Sequence, residues 1–406
     1  MINKVVFFLG TVFLERDFKR YGFESISNRG YEVEAWDFTP WLNHNYYMKY
    51  RHDSKLSFKN YKTLHTNEQI KSAISELSSN DIIIDISLLS NKKIIFENLK
   101  FKKIKIVYCI LGQQPLMNLL STINKIKYYF TFILNEPIEF FSKIYNFFCL
   151  IIKNLINREK SHDLINILIV GGSEWKNNYF KRFLNNEVDL IKAHAFDYDR
   201  YIESKNTDNK ISQKKNYNFS VFLDEALPFH PDYDYLKIKP YCSSKNYYYE
   251  INNFFDDYEN KTGYQIIIAA CPRIDYKLRD NPYNNRKIVS SSSINLVKNS
   301  KHVLTHISTA LNFAILYKKP IIFINSNNYS IYLKNSIKNS SRLVEGKYIN
   351  ITKNLPSNYS KISVNEKLYK IYKEKFIKEP NTSEKFIWDI FCDYLDKVNN
   401  SYKNFL

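Results

Sequence analysis

Glycine and proline are scarce in this 406-residue chain, 8 and 11 copies respectively, which excludes collagen-like repeats and Gly/Pro-rich low-complexity sequence. The five cysteines, Cys109, Cys149, Cys242, Cys271 and Cys392, are odd in number and widely spaced. Without a CxxC pair they suggest neither a zinc site nor redox chemistry, and they suit a reducing compartment. No uncharged apolar run approaches the ~20 residues that a membrane-spanning helix needs. The opening Met1-Ile-Asn-Lys-Val-Val-Phe-Phe-Leu-Gly10 has no small-residue cleavage site, so the expectation is a cytoplasmic protein that is not exported. Zinc-finger, helix-turn-helix and RNA-recognition patterns are all missing, and the basic residues are scattered, which argues against nucleic acid as a partner.

What the chain does contain is apolar and basic. With 44% hydrophobic and 16% aromatic residues it can bury a sizeable core, and its length exceeds that of most single cores, so two domains are expected. The 59 Lys and Arg outnumber the 41 Asp and Glu, for a formal charge of +18. A field of that sign attracts phosphorylated substrates, polyanions and anionic lipid surfaces.

The order of apolar runs points to a doubly wound α/β fold. Val5 to Leu9, a Gly10 turn, a helical stretch from Asp17 to Ser27 and a strand from Tyr31 to Trp36 make a β-α-β start. Further strands are expected at Ile82 to Ile86, Ile104 to Ile110 and Leu164 to Val170, with a helix at Glu68 to Leu77. Leu116 to Lys160 breaks this rhythm: its aromatic and aliphatic residues, punctuated by lysines, read either as packing helices inserted in the domain or as a basic amphipathic surface on an anionic membrane. Tyr201 to Asn218 is polar without periodicity and reads as a linker. A second series follows, with strands at Phe219 to Leu223, Tyr264 to Ala269, Val303 to Thr305 and Pro320 to Ile324. Its helices are expected at Tyr247 to Asn260, Ser291 to Asn299 and Thr309 to Tyr317. The reading is thus an N-terminal domain over 1–200, an insertion over 116–160, a linker over 201–218, a second domain over 219–365 and a helical tail over 366–406 that packs back across the first domain.

Ligands of open parallel sheets bind beyond the carboxyl ends of the strands. Three strand ends of the second half carry polar clusters. In Ala269-Ala-Cys271-Pro272-Arg273-Ile-Asp-Tyr276 the proline fixes a turn and the arginine offers a planar fork of donors to a phosphate, although a lone arginine there is also an ordinary surface residue. In Thr305-His306-Ile-Ser308-Thr309-Ala310 the hydroxyls open a helix, as an anion site or as a plain cap. In Phe222-Leu-Asp224-Glu225-Ala-Leu-Pro-Phe-His230-Pro-Asp232 a strand runs into two carboxylates, suited to nucleophile or base, or equally to a polar turn. No second ligand cluster accompanies them, so a metal is not expected.

The Cys-Pro-Arg turn followed by His-Ile-Ser-Thr-Ala resembles the HP and Ser/Thr motifs of GT-B glycosyltransferases that use CMP-activated sugars, such as bacterial sialyltransferases and Kdo transferases. The stretches Phe222 to Asp232 and Phe313 to Ile321 are similar to surface-polysaccharide transferases, in particular the retaining β-Kdo group. The resemblance covers most of the C-terminal half and, more loosely, the opening β-α-β. It implies two Rossmann-like domains about a cleft, with CMP held by Pro272, Arg273, Ser308 and Thr309 and with Cys271 and His306 beside it. Cys271 stands where the HP motif has histidine, so only a backbone contact carries over there. The resemblance further implies a covalent glycosyl intermediate on Asp224, with Glu225 in reserve.

On that basis the chain is expected to be a metal-independent transferase with no cofactor, moving Kdo or a related ulosonic acid from a CMP donor to a surface-polysaccharide or glycolipid acceptor. His230 is a candidate acid or base, or merely a turn residue. Asp232, Arg286, Lys318 and Lys319 are candidate sugar contacts, and Gly10 lines the acceptor side of the cleft. If Asp224 is the nucleophile the product retains configuration; if it is only a base, it inverts. The rivals are a UDP-, GDP- or TDP-sugar transferase and a noncatalytic protein that binds polyanions or membranes.

Overall fold

The computed structural model describes residues 1–51, 58–87, 93–113, 115, 165–176, 188–208, 218–276, 280–359 and 362–403. Seven strands form the first sheet: β1 (Lys4–Leu9), β2 (Glu32–Asp37), β3 (Tyr61–Thr63), β4 (Asp81–Asp85), β5 (Lys105–Ile110), β6 (Ile167–Gly171) and β7 (Asp189–Ala193). Their spatial order is 3-2-1-4-5-6-7, and every pairing is parallel. Strand alternation divides the apolar residues between two faces. Val5, Phe7 and Leu9 join one core, while Val6 and Phe8 join another with Trp36 and Ile70.

The second sheet holds β8 (Phe219–Leu223), β9 (Gln265–Ala269), β10 (Ile288–Val289), β11 (Val303–Thr305), β12 (Ile321–Asn325) and β13 (Lys347–Asn350). Its order, 10-9-8-11-12-13, repeats the pattern of the first and is also all-parallel. The two doubly wound sheets of the GT-B expectation are present. In each, the strand order reverses beside the first strand of the series, between β1 and β4 and between β8 and β11. These are the switch points at which crevices open.

Several sequence expectations need correction. The helix expected from Asp17 to Ser27 is two helices, Glu15–Arg20 and Phe23–Asn28. The break is at Gly22, whose left-handed backbone (φ +60) brings it so close to Trp388 that an added Cβ would lie 2.2 Å from the indole. The stretch read as a linker begins inside a helix, Phe196–Asp208, and Tyr198 on that helix belongs to the second domain's core. Residues 209–217 and the whole Leu116 to Lys160 insertion lie outside the described residues. The tail is not one helix. Glu366–Tyr372 runs into a wide π-type turn, and after a break Ile387–Lys403 returns to the first domain.

That return is dictated by an apolar stripe. Ile387, Trp388, Phe391, Cys392 and Leu395 recur at helical spacing and complete the core that holds Val5 and Phe7. Arg29 bonds Asp393 and Asp396 at 2.9 Å each along the same contact. The crossing requires close backbone approach at Gly172, where an added Cβ would lie 2.2 Å from the Lys375 carbonyl. Among the described residues no helix is long and apolar enough to cross a membrane.

Candidate functional site

β8 is buried along its whole length and delivers Asp224 and Glu225 to the second switch point. Asp224 is 5% exposed, and both of its oxygens are occupied. Oδ1 accepts from the Ala226 amide (2.7 Å) and the Tyr283 hydroxyl (2.8 Å). Oδ2 accepts from the Cys271 amide (3.3 Å) and the Tyr276 hydroxyl (2.5 Å). Burial pushes its pKa up and the four donors pull it back. A carboxylate so held ties the Cys271-Pro272-Arg273 turn to the end of β8, which is a positioning duty beside the reacting role that the resemblance implies for Asp224.

Glu225 turns the other way. Its Oε1 accepts from the amides of His306 (3.2 Å) and Ile307 (2.9 Å) and from the Thr305 hydroxyl (3.4 Å). Adjacent residues therefore anchor both turns that the sequence singled out, one after β9 and one after β11. Those strands lie on either side of β8, so the turns stand about two strand spacings apart, roughly 10 Å. Glu225 is half-buried, and desolvation raises its carboxyl to about 8, against the pull of the two amides and with a further push from Asp224. It is a protonated acid at neutral pH that becomes a base just above it.

The Thr305–Ala310 turn is built largely from its own hydroxyls. Thr305 Oγ1 accepts from the Ser308 amide (3.4 Å), and Ser308 Oγ accepts from the Ala310 amide (3.3 Å). Thr309 is exposed. His306, expected at the nucleotide, is wholly buried instead: its ring meets the Ile324 carbonyl (2.8 Å) and the Tyr247 hydroxyl (3.2 Å), and burial pushes its pKa down to about 4. It fastens the turn to β12 as a neutral ring. Cys271 is buried as well, its thiol pushed up to about 12 by desolvation, and its amide donates to Asp224.

Arg273 reaches across the cleft. Its guanidinium pairs with Asp232 and donates to the Tyr46 hydroxyl of the first domain (2.8 Å). His230 lies in the same group, with its Nδ1 accepting from the Asp232 amide (3.2 Å). Burial lowers its pKa, Asp232 opposes this, and the charges of Arg273 and Arg16 reinforce it. With Nδ1 accepting, the ring proton belongs on Nε2. Arg16 stands at the start of the first helix of the opposite domain, and its charge is felt at His230, Tyr46 and Cys271. The sequence reading missed Arg16, Tyr46 and Tyr283, and placed Tyr276 in its first cluster without a role. Nothing local distinguishes them; their meaning comes from the closure of two domains and from packing around Asp224.

Three expected sugar contacts are elsewhere. The Arg286 side chain is 8% exposed and spent on Asp256 (2.5 Å) and Glu259 (2.6 Å) of the helix Ser244–Thr262. Glu259 also receives the amide of Ile266, the second residue of β9, which puts this cluster toward the amino edge of the sheet. Lys318 pairs with Glu366 and Lys319 with the Ser300 carbonyl, just before β12 and likewise at the amino edge. All three face away from the crevice because the helices run antiparallel to the strands and bring their C-terminal ends to that edge. Gly10 is at the first domain's switch point, where an added Cβ would lie 2.5 Å from the Ser87 carbonyl. It permits the loops after β1 and β4 to touch. Pro115, in the loop after β5, lines a small crevice with Ser308, Leu311 and Tyr332 of the second domain. Among the described residues no group of three His, Cys, Asp or Glu side chains is arranged to hold a metal ion.

No family model matches the chain, and no curated protein matches it. Among solved structures it is similar to the wall teichoic acid polymerase TagF, at 12% identity and a TM-score of 0.49, over 98% of this chain and 90% of that one. It is also similar to S. aureus MnaA in complex with UDP, at 10% identity and a TM-score of 0.45, over 100% and 98% of the two chains. UDP-GlcNAc 2-epimerase from Neisseria meningitidis bound to UDP-GlcNAc aligns at 12% identity and a TM-score of 0.44, over 97% and 100%. Likeness of this degree adds nothing to the chemistry argued from the residues.

Proposed function

We propose that the protein is a glycosyltransferase that seats a nucleotide-activated sugar over the carboxyl ends of β8, β9 and β11. The supporting observation is that Asp224 and Glu225, neighbours at the switch point, each anchor one of the two motif turns. The motif resemblance favours a CMP-linked ulosonic acid such as Kdo as donor and a surface-polysaccharide or glycolipid acceptor. The leaving phosphate lies between Arg273 and the Ser308–Thr309 hydroxyls, where it displaces Asp232 from the arginine. Arg16 of the opposite domain supplies a second positive charge, and the two guanidiniums stabilise the departing CMP without a divalent ion.

Glu225 takes the acid–base role. Once ionised it accepts the acceptor hydroxyl's proton as that oxygen attacks the anomeric carbon and CMP departs with the bonding pair. This single displacement inverts configuration. Retention, as the β-Kdo resemblance implies, returns the reacting role to a carboxylate nucleophile, and anomeric NMR of the product separates the two. The donor class is tested by melting the protein with CMP, CTP, UDP, GDP and TDP. Saturation at 100 times Kd stabilises by about 2.7 kcal/mol. The expected result is a rise with CMP and CTP that Arg273→Gln and Ser308→Ala both diminish. A rise with UDP or GDP alone changes the donor, and no rise with any nucleotide overturns the proposal.

A further inference from the structure

We propose that the protein docks on an anionic lipid bilayer through a surface made by the helix His44–Tyr50 and the segment 229–249, beside the mouth of the crevice. Five of the ten exposed large hydrophobic side chains among the described residues fall in these two stretches. They are Met48 (41%), Phe229 (41%), Leu236 (57%), Ile238 (40%) and Tyr249 (70%). The run Leu236-Lys237-Ile238-Lys239-Pro240 is exposed throughout and alternates apolar with basic residues. A turn with left-handed backbone at Lys237 (φ +54) ends the helix Asp232–Leu236 there.

The two stretches form one surface although they come from different domains. Asp234 accepts from Lys49 (2.7 Å) and from the Tyr50 hydroxyl (2.6 Å), and the rings of Tyr46 and Tyr235 meet edge to face at 5.3 Å. These contacts also settle the sign of the surface. The acids of the helix, Asp232 and Asp234, pair with Arg273 and Lys49, and Lys237 and Lys245 add exposed positive charge beside them. Positive charge interleaved with aliphatic side chains suits a membrane interface: the apolar groups leave water among the acyl chains while the ammonium groups stay at the anionic headgroups. A polyanion such as RNA uses the lysines and leaves Leu236 and Ile238 in water. Because Asp232 on this segment contacts Arg273, a bound bilayer lies next to the crevice. Its binding needs no nucleotide.

The test is flotation of the full chain with vesicles of phosphatidylglycerol and phosphatidylcholine, against vesicles of phosphatidylcholine alone. Leu236→Ser/Ile238→Ser and Lys237→Glu/Lys239→Glu change only exposed positions, and their melting temperatures report that the fold is kept. The expected result is flotation with the anionic vesicles, little with the neutral ones, and at least a fivefold loss of bound protein in each double variant. Wild-type protein that stays at the bottom, or variants that float as it does, overturn the proposal. So does loss in the lysine variant alone together with equal binding to polyuridylate, which identifies a polyanion site instead.

Discussion

The two domains end their strands with the same device and put it to different uses. Asp37 and Asp85, at the ends of β2 and β4, each accept the amide two residues on, from Thr39 (2.8 Å) and Ser87 (3.0 Å). Asp224 does the same with Ala226. In the first domain the remaining bonds stay near: Asp85 takes the Ser87 hydroxyl and Asp37 the Tyr61 hydroxyl of the adjacent strand. In the second, Asp224 adds three donors from the region after β9, and Glu225 reaches the turn after β11. A strand-end aspartate is therefore an ordinary turn former. What marks the second crevice is the neighbouring glutamate, a carboxyl in a desolvated place with its titration near neutrality.

The sharpest way to break that contrast is Glu225→Gln. Sugar transfer is expected to fall about 10²- to 10⁴-fold, the usual worth of a general base, while Asp85→Asn leaves activity within a few-fold. In the intact protein the rate is expected to rise with pH through about 8, because the ionised form is the base. The same shift has a stability consequence of opposite slope. A carboxyl raised from 4.5 to about 8 favours the fold fully below 4.5, and that contribution is lost as pH rises to about 8. Melting of the wild type should accordingly decline over that window relative to Glu225→Gln, and parallel curves refute the assignment.

Next in size is the pair Asp224→Ala and Asp85→Ala. The first leaves one buried and one partly buried tyrosine hydroxyl and two amides without an acceptor, for a cost of about 3–5 kcal/mol. The second orphans donors of Ser87 alone, for about 1–2 kcal/mol. Urea unfolding measures both, and equal losses would remove the distinction between a bridging and a local aspartate. Smallest is Gly10→Ala, where the new Cβ presses on backbone at the first switch point; about 1–3 kcal/mol is expected by thermal melting. Gly112→Ala, with open space around it, is the control.

Much of the fold was legible because central parallel strands are continuous apolar runs. β8 and β11 fall where the sequence places them, at Phe219–Leu223 and Val303–Thr305. The strands that escaped notice are at or near sheet edges, where polar residues are tolerated: β3 with Lys62, β7 with Asp189 and Lys192, the two-residue β10, and β13 with Lys347. The motif turns were legible too, through proline, arginine and paired hydroxyls after strands. The duties of individual side chains were not. His306 looked like a ligand contact and is a buried bridge, and Arg286 looked free and is consumed by two acids.

Local order along the chain settled the central strands and the three loops that gather at one sheet edge, since hydrophobic periodicity and turn chemistry act over a few residues. Which of two adjacent carboxyls is saturated and which keeps a titrating oxygen was settled in three dimensions. Their donors lie 47, 52, 59 and 82 residues further along, and no nearest-neighbour rule anticipates them. A pKa reflects desolvation and the donors within reach, and both exist only once the sheet has brought those distant turns together.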